Sequence, residues 1–268
     1  MVHSPYRAEP GKKIDLSKWS TDDTGQFKDK ADAKAAIKKN IGRLIGLQEL
    51  LYASATHSLL IVLQAMDAGG KDGAIDHVFS GVSPQGCSVS SFKEPSHLEL
   101  SHDYLWRYHL ACPRRGMVGL FNRSHYESVL VERVKKIAPK DVWSKRFSQI
   151  NAFEEMLTSE NTVILKFFLH ISKKEQKKRL EARLEDKTKQ WKISPEDYGN
   201  RRQWDQYTEA FEDAIRNCST DYAPWYIVPA DHKWFRNWVL SDTIVRALDK
   251  LDLKYPPTAK GLDKIKLK

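Results

Sequence analysis

The run Leu59-Leu60-Ile61-Val62-Leu63 passes through Gln64 into Ala65-Met66-Asp67-Ala68-Gly69-Gly70-Lys71-Asp72-Gly73, and it constrains the chain more than any other stretch. Five consecutive aliphatic residues predict a strand buried on both faces. The glycine-rich turn after it, opening a helix at Ala74-Ile75, has the shape of a phosphate-binding loop. Gly69 and Gly70 let backbone approach an anion, the helix start presents free N–H groups, and Lys71 adds a full charge. Compared with G-x-x-x-x-G-K-[ST], Ala65 stands in for the first glycine and Asp72 for the hydroxyl residue. An ordinary strand-to-helix turn is the alternative, because such turns also use glycine.

Strands and helices alternate along the rest of the chain, which predicts a parallel sheet covered on both faces, with ligands at the carboxyl ends of the strands. Residues 30–51 carry Ile37, Ile41, Leu44, Ile45 and Leu51 at helical spacing, opposite Lys34, Lys38, Lys39 and Arg43. Further strands are expected at 87–92, 117–121, 162–169 and 225–228, and helices at 97–111, 151–160, 172–186 and 234–251. Ser124 with Glu127 and Ser172 with Glu175 read as capping boxes, the first opening a helix through Ile137. Ser194-Pro195 opens another helix. The expected organisation is one domain over 1–268, with an N-terminal arm at 1–29 anchored by Trp19 and a helical lid at 171–205.

At 268 residues and 41% hydrophobic content the chain can bury one substantial core. It has no bilayer-length apolar run, and Met1–Pro10 lacks a signal-peptide core, so a cytoplasmic protein with no membrane partner is expected. Cys87, Cys112 and Cys218 form no C-x-x-C pair, and the nine histidines form no H-E-x-x-H spacing, which argues against disulfides and a transition-metal centre. The net charge of +9 asks for a polyanionic partner. Nucleic acid could satisfy it, but no recognised nucleic-acid module is present, so none is expected to bind.

Taken in order, Asp67–Gly73, Ser91-Phe92-Lys93-Glu94-Pro95-Ser96, Phe121-Asn122-Arg123-Ser124-His125-Tyr126, and the Arg179 and Arg183 helix with Trp191-Lys192-Ile193-Ser194-Pro195 resemble the polyphosphate kinase 2 family. The resemblance spans residues 30–250. It implies a P-loop kinase-like three-layer α/β/α sandwich similar to thymidylate kinases. It also implies reversible phosphoryl transfer between inorganic polyphosphate and nucleotides with Mg2+ as cofactor; Mn2+ is expected to be able to replace it. The subgroup most resembled acts on both nucleoside monophosphates and diphosphates, so AMP would pass through ADP to ATP, with purine nucleotides preferred. A homo-oligomer, dimer or tetramer, is expected.

Charge chemistry then assigns the candidate residues. Donor and acceptor are both polyanions, so cations must offset their repulsion and hold them in line. Lys71 and the amides of Ala68, Gly69, Gly70, Asp72 and Gly73 serve one side. Arg123, Arg179 and Arg183 offer forked donors to the transferred group and the chain behind it, with Lys187 in the basic connector. The family's loop aspartate matches Asp67, the candidate metal ligand. Asn122 stands where many P-loop enzymes carry a second aspartate, which favours a water-mediated role. Lys93 and Arg107 are candidate phosphate or nucleotide contacts, as is Glu127, for which helix capping is the competing role. An ATP-dependent nucleotide or small-molecule kinase is the alternative enzyme, and a basic nucleic-acid-binding protein the alternative of another class.

Overall fold

The computed structural model describes residues 4–261, leaving out the side chains of Pro195 and Asp197. Strand β1 (Ser58–Ala65) lies at the centre of a sheet with β2 (Cys87–Ser91), β3 (Val118–Asn122), β4 (Thr162–His170) and β5 (Trp225–Pro229), in the order β2-β3-β1-β4-β5. Every pairing is parallel, with Leu63 opposite both Asn122 and Phe167. The carboxyl ends of β1 and β3 therefore share one edge, and the chain crosses from one side of β1 to the other there.

Period-two alternation divides β1 between two cores. Leu59, Ile61 and Leu63 face a cluster built with α1 (Lys30–Ser54), α2 (Lys71–Val78) and α10 (Lys233–Asp249). Leu60 and Val62 face the other, with α6 (Lys140–Ser159) and α9 (Trp204–Cys218). All five side chains are essentially fully buried, each contributing about 1.5–3 kcal/mol. This is the three-layer α/β/α sandwich. Asp29 starts α1 by accepting from the Ala31 and Asp32 amides, and Ala55 ends it at φ 48°.

The segment ahead of α1 is tied down by its apolar residues. Tyr6, Ala8, Ile14, Leu16 and Phe27 are buried, whereas the expected anchor Trp19 is half-buried at the margin. Residues 6–8 run antiparallel along β5, with Ala8 N donating to Trp225 O at 2.9 Å and Ile227 N to Tyr6 O at 2.8 Å. That pairing covers the sheet edge.

Local chemistry overrides several expected boundaries. The helix expected over 97–111 divides into α3 (His97–Leu100) and α4 (Trp106–Leu110). Ser96 and Glu99 box the first helix, and Asp103 restarts the chain by accepting from Leu105 N at 2.9 Å. The expected Ser124–Glu127 capping box is absent: Ser124 Oγ accepts from Tyr126 N, and His125–Ser128 forms a 3-10 turn before the short α5 (Val131–Val134). Beyond β4 come α7 (Lys173–Glu185), a 3-10 turn at Gln190–Lys192, and α8 (Pro195–Arg202). Ser172 Oγ caps α7 through Glu175 N, but Glu175 turns to Arg179, so that box is only half formed.

Candidate active site

The β1–α2 loop wraps tightly on itself. Gly69 N donates to Met66 O at 2.9 Å, and a Cβ on Gly69 would fall 2.4 Å from the Ala65 Cβ, so only glycine fits. Ala68 (φ 58°) and Gly70 (φ 96°) both adopt left-handed backbone, the strained curvature that functional loops retain. Gly70 is the N-cap of α2 with no side-chain cap, leaving its first-turn amides open to an anion.

Lys71 Nζ folds back toward the carbonyl of Ala65 at 3.4 Å. Burial and then Arg123 hold its ammonium below the ordinary lysine range, against the pull of Asp67, Glu127 and Asp72. Asp72 accepts from Asn122 Nδ2 at 2.7 Å and lies 3.6 Å from Lys192 Nζ. Burial raises the Asp72 carboxyl, but Asn122 and Lys192 outweigh it and leave it below the usual carboxylate range. Asn122 is thus committed to Asp72 rather than turned toward Asp67.

Asp67 occupies the junction. Its Oδ1 is 3.7 Å from Arg123 Nη2, and its Oδ2 accepts from Asn200 Nδ2 at 2.8 Å. Arg123 (φ 65°) leaves the end of β3 in a left-handed turn, which also brings its Nη1 to 3.8 Å from Glu127. Burial pushes the Glu127 carboxyl up, opposed by Arg123, Lys71 and Gln64. Glu127 thus faces Arg123 and lines the adjoining cavity, and forms no capping box with Ser124.

Beside Asp67, Arg123 and Glu127 opens a cavity of about 980 Å³. It extends past Lys93 and Arg107 to Val142 and Lys145, and Gly69–Lys71 lie outside it. Arg107 is held over the Phe92 and Tyr108 rings and donates to Lys93 O at 3.0 Å. Tyr108 is packed in the core, and Trp106 stacks on His102 at 4.0 Å.

The α7 cations divide. Arg179, expected on the transferred phosphoryl group, is instead buried behind the loop. Its guanidinium donates to Ala68 O, Gly69 O, Ala230 O and Asp231 O, and its Nε to Glu175. Arg183 and Lys187 lie outside the cavity and make no hydrogen bond or ion pair among the described residues.

Sequence reasoning missed Gln64, Gln176, Asn200, Tyr207 and Arg236. Gln64, buried at the end of an aliphatic strand, bonds Ser124 Oγ at 3.1 Å. Its sequence signal is the polar interruption of β1. Gln176 donates to Asp67 O, Tyr207 approaches Asn200, and Arg236 donates to Gly70 O. Arg236 has a sequence signal too, as a cation within the apolar stripe of Phe235, Val239 and Leu240.

Among the described residues no group of three or more His, Cys, Asp or Glu could cage a metal. A lone carboxylate still suits Mg2+, which keeps waters and takes substrate phosphates as ligands. No helix of the described residues is long and apolar enough to cross a membrane.

Comparison with known proteins shows the family of the chain. The family model for polyphosphate kinase 2 matches residues 27–256. The AMP/ADP-polyphosphate phosphotransferase of Meiothermus ruber is 51% identical over 97% of this chain and 98% of its own. The ADP-polyphosphate phosphotransferase of Rhodopseudomonas palustris is 43% identical over 94% and 92%. The crystal structure of polyphosphate kinase 2 from Arthrobacter aurescens TC1 superposes with a TM-score of 0.92 at 40% identity, covering 97% of this chain and 93% of that one.

Proposed function

The chain belongs to the polyphosphate kinase 2 family, and on that premise we propose that it moves a terminal phosphoryl group from inorganic polyphosphate to AMP and to ADP. The observation that supports this reading is that Asp67 and Arg123 stand between the open amides of α2 with Lys71 on one side and the cavity on the other. Polyphosphate lies over the loop and the α7–α8 lid, and the nucleotide fills the cavity with its phosphates toward Arg123. A phosphate oxygen of the nucleotide bonds to the terminal phosphorus. The bond to the next bridging oxygen breaks, and the shortened chain leaves with that electron pair. No proton transfer is required, so catalysis rests on charge offset and alignment.

Lys71 and the loop amides hold the donor's oxygens. Arg123 grips the group in flight, and Glu127, facing Arg123, keeps that guanidinium on the cavity side. Lys93 and Arg107 hold the acceptor, while Arg183 and Lys187, unpaired on the lid, meet the chain beyond the reacting phosphate. Kinases of this family generally need a divalent metal. Asp67 would hold Mg2+ together with the phosphates, and Mn2+ could replace it. When bound, the ion neutralises charge on the phosphoryl oxygens. The test is a donor screen with AMP and Mg2+. Polyphosphate without ATP should support turnover, whereas ATP as the sole productive donor would identify an ordinary nucleotide kinase.

A further inference from the structure

Four successive carbonyls of the loop are held from outside by side chains. Gln176 donates to Asp67 O at 3.0 Å, Arg179 to Ala68 O at 3.2 Å and Gly69 O at 3.0 Å, and Arg236 Nη1 to Gly70 O at 2.9 Å. In a trans peptide the C=O of one residue and the N–H of the next point opposite ways. Gly70 O also accepts from Ala74 N at 3.0 Å, so Arg236 and the first turn of α2 together hold that carbonyl, as Arg179 holds Gly69 O, and the N–H groups of Gly70 and Lys71 point the opposite way. Those two amides donate to nothing among the described residues.

Arg236 is the unusual member of this girdle. It lies on α10, far from the loop in sequence, and only 2% of it is exposed. Its Nε and Nη2 both donate to Asn237 Oδ1, at 3.1 and 2.8 Å, which fixes the plane of the fork. Among the described residues it has no carboxylate partner, and burial followed by Arg179 pushes its pKa down to about 10. A buried cation without a counter-ion is costly, and a neutral donor could hold Gly70 O at less expense. A polyanion on the loop would offset that cost. The approach is close: Gly70 is called for by its φ of 96°, and a Cβ there would also lie 2.2 Å from Arg236 Nη1.

We propose that Arg236 is a positioning residue, which locks the Gly70–Lys71 peptide so that its N–H faces the phosphate chain, and which supplies the buried positive charge behind it. This rests on the polyphosphate reading above. It predicts a separation of effects, because Arg236 does not line the acceptor cavity.

The test measures inorganic tripolyphosphate binding by calorimetry without nucleotide, together with kcat and both KM values, for wild type, Arg236→Met and Arg236→Lys. Misplacing a reacting group costs up to about a hundredfold, so Arg236→Met should lose about tenfold to a hundredfold in tripolyphosphate affinity and in kcat. The KM for AMP should stay within about twofold, outside the reach of that misplacement. Arg236→Lys, which keeps the charge and one donor, should recover part of the loss. In glycine-labelled protein, the Gly70 amide should shift on tripolyphosphate addition less in the lysine variant than in wild type. Unchanged tripolyphosphate affinity in Arg236→Met, or equal loss toward tripolyphosphate and AMP, overturns the proposal while leaving the function intact. If Arg236→Met does not fold, wild-type affinity and amide shift in Arg236→Lys overturn it. Failure of wild type to bind tripolyphosphate at all overturns both.

Discussion

Replacing Glu154 with glutamine removes one half of a fully buried ion pair directly beneath the turn that carries Arg123 and Glu127. Glu154 on α6 and Lys166 on β4 both have 0% exposed side chains and are in direct contact. Lys166 Nζ also donates to Tyr126 OH at 2.9 Å and Cys218 O at 2.6 Å. Glu154 Oε1 accepts from Tyr126 OH at 2.9 Å and pairs with His125 Nε2 at 3.1 Å. Leaving the ammonium without its carboxylate should cost about 3–5 kcal/mol. At about 2–4 °C per kcal/mol for a chain of this size, the melting temperature should fall by roughly 6–20 °C. Lys166→Met should do comparable damage by stranding the carboxylate. The double variant Glu154→Gln/Lys166→Met should lose well under the sum of the two single variants, with a coupling of about 2–3 kcal/mol in urea unfolding. Burial alone would raise the Glu154 carboxyl, but Lys166 and His125 hold it below the usual range. A folded-state pKa below the unfolded one adds stability that is present above the unfolded value, near about 4.3, and is lost as pH falls through the folded one. Acid unfolding should therefore be shallower in Glu154→Gln. Single variants within about 1 kcal/mol of wild type, or losses that simply add, would refute the pairing argument.

Lys71→Ala should fold normally and lose about a hundredfold or more in turnover, the scale of one electrostatic donor; near-normal rates would remove the lysine from the site. Because burial and Arg123 lower the Lys71 pKa and the protonated form is the active one, kcat/KM should fall on the alkaline side below the ordinary lysine range. Lys71→Arg should carry that limb to higher pH, and an unmoved limb would assign it to another group. Asp67→Asn should raise the Mg2+ concentration needed for half-maximal rate, with partial recovery in Mn2+; an unchanged Mg2+ requirement would exclude it as a ligand. Neutralising Arg183 and Lys187 should raise the KM for polyphosphate and flatten its salt dependence, since exposed charges are screened over roughly 8 Å. Equal salt slopes would place the chain elsewhere.

The parts of the fold legible in the sequence were those with strong local patterning. The aliphatic run of β1, the helical stripe of α1 and the glycine turn each state their geometry in consecutive residues, and the alternation of elements gives the parallel sheet. Expectations failed where one polar side chain decides between neighbours. Glu127 sits at capping-box spacing, yet the left-handed turn at Arg123 sends its carboxylate into the site. Arg179 and Arg183 share a helix face, but the loop brings two carbonyls and the turn after β5 two more to the first, and none reach the second. Asn200 and Arg236 meet the loop only through tertiary packing of α8 and α10, which no local window contains.

The most direct test of the central claim follows phosphorus signals by NMR in a mixture of the purified protein, Mg2+, long-chain polyphosphate and AMP, with an adenylate kinase inhibitor present and no ATP added. The account predicts that ADP appears first and ATP afterwards, with interior polyphosphate signal falling in proportion to the anhydride bonds gained by the nucleotide. Polyphosphate that stays intact while AMP is unchanged, or ADP that forms only once ATP is supplied, would contradict it.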